Sequence, residues 1–393
     1  MTSWIEVSAV LSALIWLYLW RWHGRFWRLS ECLDEAAHPP TPSGPWPSIS
    51  VVVPARNEAS TIERTVAALI AQRYPGHLRI AVVDDASDDD TAARVESFIA
   101  SGAADRHPHR ELTLLRNEPL PVGWVGKMWA VETGVAHATA NAKRPDFLLL
   151  TDADLELHPN CVAHLVGIAH ARQTALTSLM VYLTHGRGWP RLLIPAFVYF
   201  FKMLYPFSWV NDPARRTAAA AGGCMLVNTK ALQQAGGIDA IRDELIDDCA
   251  LAAALKPGRA IWLGEATHSC SIRPYESLGP VWQTVVRSAF VQLRYSWTLL
   301  ILTTMGMWLL YLAPLLAVSM LGSIAAWVSL LGVATWAVQA RTFSPMVRFY
   351  HQPRWLAALL PLAGAIYLVM TWHSALRHVT GRGVQWRGRV TRT

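Results

Sequence analysis

In the first half of the chain, short apolar runs alternate with segments of helical spacing. Ser48–Pro54 (SISVVVP) is β-branched and closes on a proline, as a buried strand does. Thr61–Ala71 has the spacing of a helix, Leu78–Val83 is a second strand running into Asp84-Asp85, and Thr91–Ala100 is a second helix. A third strand is expected at Leu112–Leu115, a helix at Trp129–Ala140, and a fourth strand at Phe147–Leu150 that ends at Asp152. This alternation predicts an α/β fold with a mostly parallel sheet, whose ligands gather at the carboxyl ends of the strands.

The flanking segments have a different pattern. Residues 5–20 (IEVSAVLSALIWLYLW) are apolar with tryptophans at both ends, and Arg21, Arg25 and Arg28 follow. An acidic start and a basic sequel argue against a cleaved leader, so this reads as an anchor with the basic side kept inside. Residues 31–48 are rich in Pro, Ser and acidic side chains, as linkers are. Residues 189–210 are apolar but interrupted by Arg191, Lys202 and prolines, which suits either interfacial helices or a buried helix pair. Trp297–Gln339 is long enough for two spans with a break near Gly322-Ser323, and residues 355–372 offer another, kinked at Pro361. Parity then puts the basic tail outside, against the charge rule, unless the last segment is re-entrant or one span is miscounted. The expected organisation is an anchor over 1–28, a linker over 29–47, an α/β domain over 48–296, C-terminal spans within 297–375 and a basic tail over 376–393.

Composition sharpens the membrane reading. Charged residues are 16% of the chain against about 25% in soluble domains, and hydrophobic residues are 52%. The net charge of +7 is spread along apolar segments and the tail rather than gathered in a stripe, so a nucleic-acid partner is not expected. Five cysteines without a CxxC pair exclude a disulfide framework or zinc site and fit a reducing compartment.

The candidate chemistry lies at the strand ends. Pro54-Ala-Arg-Asn57-Glu58, Asp84-Asp85-Ala-Ser87-Asp88-Asp89-Asp90-Thr91 and Asp152-Ala-Asp154 would converge on one rim. Repelling carboxylates need a counter-charge, and a hard divalent cation, Mg²⁺ or Mn²⁺, is the expected one. Asp90 reads better as a helix cap. Lys127, after Gly123-Trp-Val-Gly126, offers a charge to a phosphate or is merely solvated. Gly222-Gly223 would form a wall near a ligand or a tight packing contact. Asp247-Asp248 opens a helical stretch; the pair would either favour the dipole or supply a general base. Arg287 would touch a ligand or anchor at the membrane edge.

Together these motifs resemble family-2 inverting glycosyltransferases of the GT-A fold, a Rossmann-like mixed sheet for nucleotide-diphospho-sugars, over roughly residues 48–296. The resemblance implies nucleotide-sugar contacts at Pro54, Asn57, Glu58, Asp84, Asp85, Lys127, Asp152 and Gly223, with Asp85 at the nucleobase, and metal at Asp152 and Asp154. It assigns the base to Asp248 and a supporting role to Asp247. Ala86 stands where the family has glycine, and an aspartate stands at 247 where it has glutamate. Gln292, Arg294 and Tyr295 approximate the Gln-x-x-Arg-Trp segment of processive members but are one residue short; with Arg287 they are candidates for diphosphate or acceptor. The layout is most similar to bacterial hopanoid-biosynthesis-associated enzymes. The expectation is a multi-pass inner-membrane glycosyltransferase with a cytoplasmic catalytic domain, a UDP-sugar donor and a lipid acceptor. A processive polysaccharide synthase and a silent sugar- or lipid-binding membrane protein are the rivals.

Overall fold

The computed structural model describes residues 2–42, 44–140, 144–319, 326–380, 385–386 and 389–390. The chain forms two compact units: residues 31–184, 209–274 and 385–393 make an α/β unit, and residues 1–30, 185–208 and 275–384 a helical one.

After an N-terminal helix, α1 (Thr2–Arg21), the chain builds the α/β unit around β1 (Cys32–Leu33), β2 (Ile49–Ala55), β3 (Leu78–Asp84), β4 (Arg110–Arg116), β5 (Phe147–Thr151), β6 (Leu155–Glu156), β7 (Thr174–Tyr182), β8 (Cys224–Asn228) and β9 (Ala260–Ser271). Their order is β1-β9-β7-β8-β5-β2-β3-β4, with β6 paired to β9. The four strands expected from sequence, β2, β3, β4 and β5, are mutually parallel. β8 runs antiparallel between β5 and β7 and makes the sheet mixed.

Side-chain alternation along β2 decides how the layers form. Ile49, Val51 and Val53 enter one core with Ile62, Val66 and Leu69 of α2 (Ile62–Ile70) and Val162, Leu165 and Val166 of α5 (Cys161–Arg172). Each such fully buried side chain contributes about 1.5–3 kcal/mol relative to exposure. Val52 points the other way, toward α4 (Gly126–Thr139). A Cβ on Gly134 of α4 would lie 2.3 Å from Val52 Cγ1, so only glycine lets α4 pack this close.

The segment expected to be a linker is bound to the sheet. β1 pairs with β9, and Glu35 is fully buried, its Oε2 accepting from His268 N (2.8 Å) and Ser269 N (2.9 Å). A buried carboxylate is tolerated there because backbone donors satisfy it.

The helical unit contains α1, α6 (Pro190–Leu204), α10 (Leu278–Gln292), α11 (Trp297–Met307), α12 (Ala313–Val318), α13 (Ala326–Phe349) and α14 (Leu360–Val379). Among the described residues, three stretches are long and apolar enough to cross a membrane: Trp4–Arg21, Trp297–Val318 and Arg354–Val379. Between α11 and α12 lies a π-helical turn, Trp308–Leu312. Pro314 has no N–H to give the Leu310 carbonyl four residues earlier. Trp16 Nε1 and Gln339 Nε2 donate to that oxygen instead, each at 2.8 Å. Pro361 sits in the first turn of α14, where proline needs no partner, rather than kinking a helix interior. α6, the core of the segment expected to be interfacial or buried, hides Leu192, Leu193, Ile194 and Tyr199. The expected break at Gly322-Ser323 and half of the basic tail lie outside the described residues.

Candidate active site

Two loops at the carboxyl ends of β2 and β3 are laced together. Arg56 Nη1 donates to Ala86 O (2.7 Å), and Nη2 reaches Asp88 at 3.2 Å. Asn57 N donates to Ser87 Oγ, Asp88 N donates to Asn57 Oδ1, and Glu58 N donates to Thr91 Oγ1. Asn57 (φ 54°) and Ala86 (φ 50°) both take the left-handed conformation that these turns require. The helix that follows, α3 (Thr91–Ala100), is capped by Asp89, which accepts from Thr91 N at 3.0 Å, while Asp90 makes no side-chain cap bond. Against slight burial, hydrogen bonds from Thr91 and Ala59 hold Asp89 below the usual carboxylate range.

Asp85 is wholly buried, and its Oδ1 accepts from Asn117 Nδ2 at 2.9 Å. Thr133 Oγ1 in turn donates to Asn117 Oδ1 at 2.6 Å, which fixes the amide. Asp84 is buried with Oδ1 lacking a hydrogen-bond partner among the described residues, a cost that folded proteins seldom carry without a use.

The Asp-x-Asp loop after β5 meets residues that lie far apart in sequence. Lys127, second residue of α4, places Nζ 3.0 Å from Asp152 Oδ1 and 3.1 Å from Asp247 Oδ2. The Asp247 approach is an ion pair rather than an aligned hydrogen bond. Burial pushes the lysine pKa down, but the two carboxylates outweigh it and hold the ammonium well above its usual range. Lys127 is therefore not the solvated loop residue that its sequence context also allowed. Asp247 and Asp248 open α9 (Asp247–Leu255), where the dipole favours negative charge. Asp248 Oδ2 accepts from Gly222 N (2.9 Å), and Oδ1 accepts from Cys249 N (2.7 Å). Burial, together with the neighbouring Asp247 charge, pushes Asp248 up to about 6.

Pro54, Lys127, Thr151, Asp152, Gly222 and Asp247 line one cleft. Gly223 borders Asp152: a Cβ there would lie 3.7 Å from Asp152 Oδ2 and 3.1 Å from Leu155 Cδ1. Asp152 and Asp154 fit a divalent cation in one respect: they are hard oxygen donors, and the Asp152 side chain is 36% exposed. Among the described residues no group of three or more His, Cys, Asp or Glu is placed to hold a metal ion.

Residues 50–236, which contain the loops after β2 and β3, the Asp-x-Asp loop and Lys127, match the model of Glycosyl transferase family 2. This segment is similar to family 2 glycosyltransferases. A curated N-acetylglucosaminyltransferase from Mesorhizobium japonicum is 47% identical to the chain over 55 residues, 12% of the chain and 13% of that relative. The chain thus matches only a small part of the relative's length. The solved mannosyltransferase PcManGT from Pyrobaculum calidifontis, in complex with GDP-Man and Mn²⁺, is similar in fold, with a TM-score of 0.53 and 19% identity. That likeness covers 96% of this chain and 99% of the mannosyltransferase. The fold of the α/β unit is the expected GT-A arrangement.

The remaining candidates, Arg287, Gln292, Arg294 and Tyr295, belong to the helical unit. Gln292 Nε2 donates to Tyr205 Oη at 2.6 Å, and the Tyr295 ring stacks on His378 with centroids 4.4 Å apart. Arg287 and Arg294 are exposed. Sequence reasoning passed over Arg56, Asn117 and Arg273. Arg56 stood inside a quoted motif, whereas Asn117 and Arg273 carry no local signal.

Proposed function

We propose that this protein transfers a sugar from a nucleotide-sugar to the hydroxyl of a membrane lipid, with inversion at the anomeric carbon. The reading is carried by Asp248, a carboxylate raised to about 6 beside a lysine-bridged pair, Asp152 and Asp247. A carboxylate so poised is mostly ionised at neutral pH and still basic enough to accept a proton in a transition state.

Pro54, Asn57, Glu58, Asp84 and Asp85 would bracket the nucleoside, with UDP the first to test. Lys127, Asp152 and Gly223 would hold the sugar-diphosphate end. A divalent cation at Asp152 and Asp154, when bound, supplies positive charge for the departing diphosphate. Asp248 takes the proton from the acceptor hydroxyl as its oxygen attacks the anomeric carbon. The bond from that carbon to the diphosphate oxygen breaks, and the nucleoside diphosphate leaves with the electron pair. Asp247, tied to Lys127, keeps the neighbouring carboxylate oriented.

The lipid side of the proposal draws support from the three apolar helices. The acceptor is a hopanoid or related isoprenoid alcohol. Arg21, Arg25 and Arg28 after the first apolar helix favour a multi-pass protein of a bacterial-type inner membrane, with the catalytic domain cytoplasmic.

The test is release of nucleoside diphosphate by detergent-purified protein given a panel of nucleotide-sugars and extracted bacterial lipids. Release that depends on lipid, and is lost with EDTA and in Asp152→Ala, supports the reading. Release that is indifferent to lipid overturns the acceptor; none from any donor overturns the activity.

A further inference from the structure

A further cation stands at the same rim without a task in the mechanism above. Arg273 follows β9, and β9 ends against the Asp-x-Asp loop. Leu155 and Glu156 of β6 pair with Ser271 and Cys270, and Ile272 N donates to Asp154 O at 2.7 Å. Arg273 is therefore one residue beyond the backbone bond that fixes Asp154. From there its Nη2 reaches Glu58 Oε2, 2.6 Å away, on the loop after β2.

That anchor is rigid. Glu58 is 5% exposed, its Oε2 also accepts from Thr61 Oγ1 (2.8 Å), and its N–H is held by Thr91 Oγ1. The Arg273 side chain, by contrast, is 38% exposed, and Glu58 is its partner among the described residues. A guanidinium carries five donors in a planar fork. One nitrogen is pinned to Glu58, which leaves the remaining edge for a ligand.

A nucleotide-sugar brings a diphosphate to a rim that already holds Asp84, Asp85, Asp152, Asp154 and Glu58. Lys127, one cation at this rim, also faces Asp152 and Asp247, so its single charge does not balance a diphosphate by itself. The segment around Gln292 and Arg294, a sequence-level candidate for this contact, belongs to the helical unit and departs from the expected spacing. Within the α/β unit, Arg273 couples the Asp-x-Asp loop to the loop after β2, and an arginine fork matches phosphate oxygens better than a point charge does.

We propose that Arg273 binds the donor's diphosphate, held in aim by Glu58. This rests on the nucleotide-sugar reading of the site. The full chain in detergent, with Mn²⁺ held constant, would be titrated with UDP or GDP, whichever it binds more tightly, and with the matching nucleoside. Arg273→Gln is expected to weaken the diphosphate roughly 10- to 100-fold and leave the nucleoside within about twofold. Arg273→Lys, which keeps the charge and the Glu58 pairing, should recover part of the loss. Diphosphate and nucleoside affinities that fall together would mean that Arg273 only holds the loop, and would overturn the proposal. So would a diphosphate affinity unchanged in both variants. Wild-type protein that binds neither UDP nor GDP would overturn the donor reading itself, a failure visible before any variant is made.

Discussion

Lys127 Nζ lies 3.1 Å from Asp247 Oδ2, so the carboxylate preceding the candidate base is already paired with a cation. Among the described residues the adjacent Asp248 makes no ion pair within 4 Å; it accepts two backbone N–H bonds, from Gly222 and Cys249. Two neighbouring aspartates thus sit in unequal surroundings. One is pinned as a counter-ion, and the other is left with a raised affinity for protons. Separation of this kind assigns acid–base work to one member of a pair.

The pH dependence follows from that inequality. With Asp248 pushed up to about 6, transfer should rise with pH through about 6 and level off above it, because the base must be ionised. The sign for stability is opposite. The folded state binds this proton more tightly than the unfolded chain, whose value is 3.8. Asp248 therefore favours the fold at low pH, and that contribution is lost as pH rises from about 4 through about 6. A rate profile measured between pH 4.5 and 8.5 checks the first statement, and a flat profile across that range would contradict it.

Lys127→Gln removes the ammonium that draws Asp248 downward. The acid limb should move to higher pH, and the rate at pH 6 should fall by more than the rate at pH 8. Parallel profiles of wild type and variant decide this. An unmoved limb with a uniformly reduced rate would mean that Lys127 acts on the donor alone.

Ala86→Gly tests the strain in the loop after β3. An L-residue at φ 50° costs roughly 1–2 kcal/mol, against a loss of about 0.4–1 kcal/mol from the freer unfolded glycine. The variant should be more stable by a few tenths to about 1 kcal/mol with transfer retained. Thermal unfolding in detergent reads it, and a lower midpoint would show that Ala86 is not strained.

Much of this arrangement is legible in the sequence, for local reasons. β2, β3 and β5 are built around short apolar runs, and α3 begins and ends where its spacing says, Thr91 to Ala100. The carboxylate loops follow because an acidic pair after a buried strand can only face the rim. β9 escapes such reading. Its sequence, AIWLGEATHSCS, mixes Gly264, Glu265 and Ser269 into a buried strand, and its polar backbone is satisfied by Glu35 from a stretch with linker composition. Lys127 has two local readings, and only its contacts with Asp152 and Asp247, the latter 120 residues away, choose between them. Arg273 is silent in sequence for the same reason: its partner Glu58 is brought to it by the sheet order, not by spacing.

Asp248 is proposed to take the proton as a sugar is transferred to a lipid. The most direct measurement is the single-turnover rate of sugar transfer to lipid by Asp248→Asn beside wild type, with nucleotide binding measured on the same preparations. The account predicts a rate reduced roughly 100- to 10,000-fold with nucleotide affinity within about twofold of wild type. Transfer at the wild-type rate by the folded variant would contradict it.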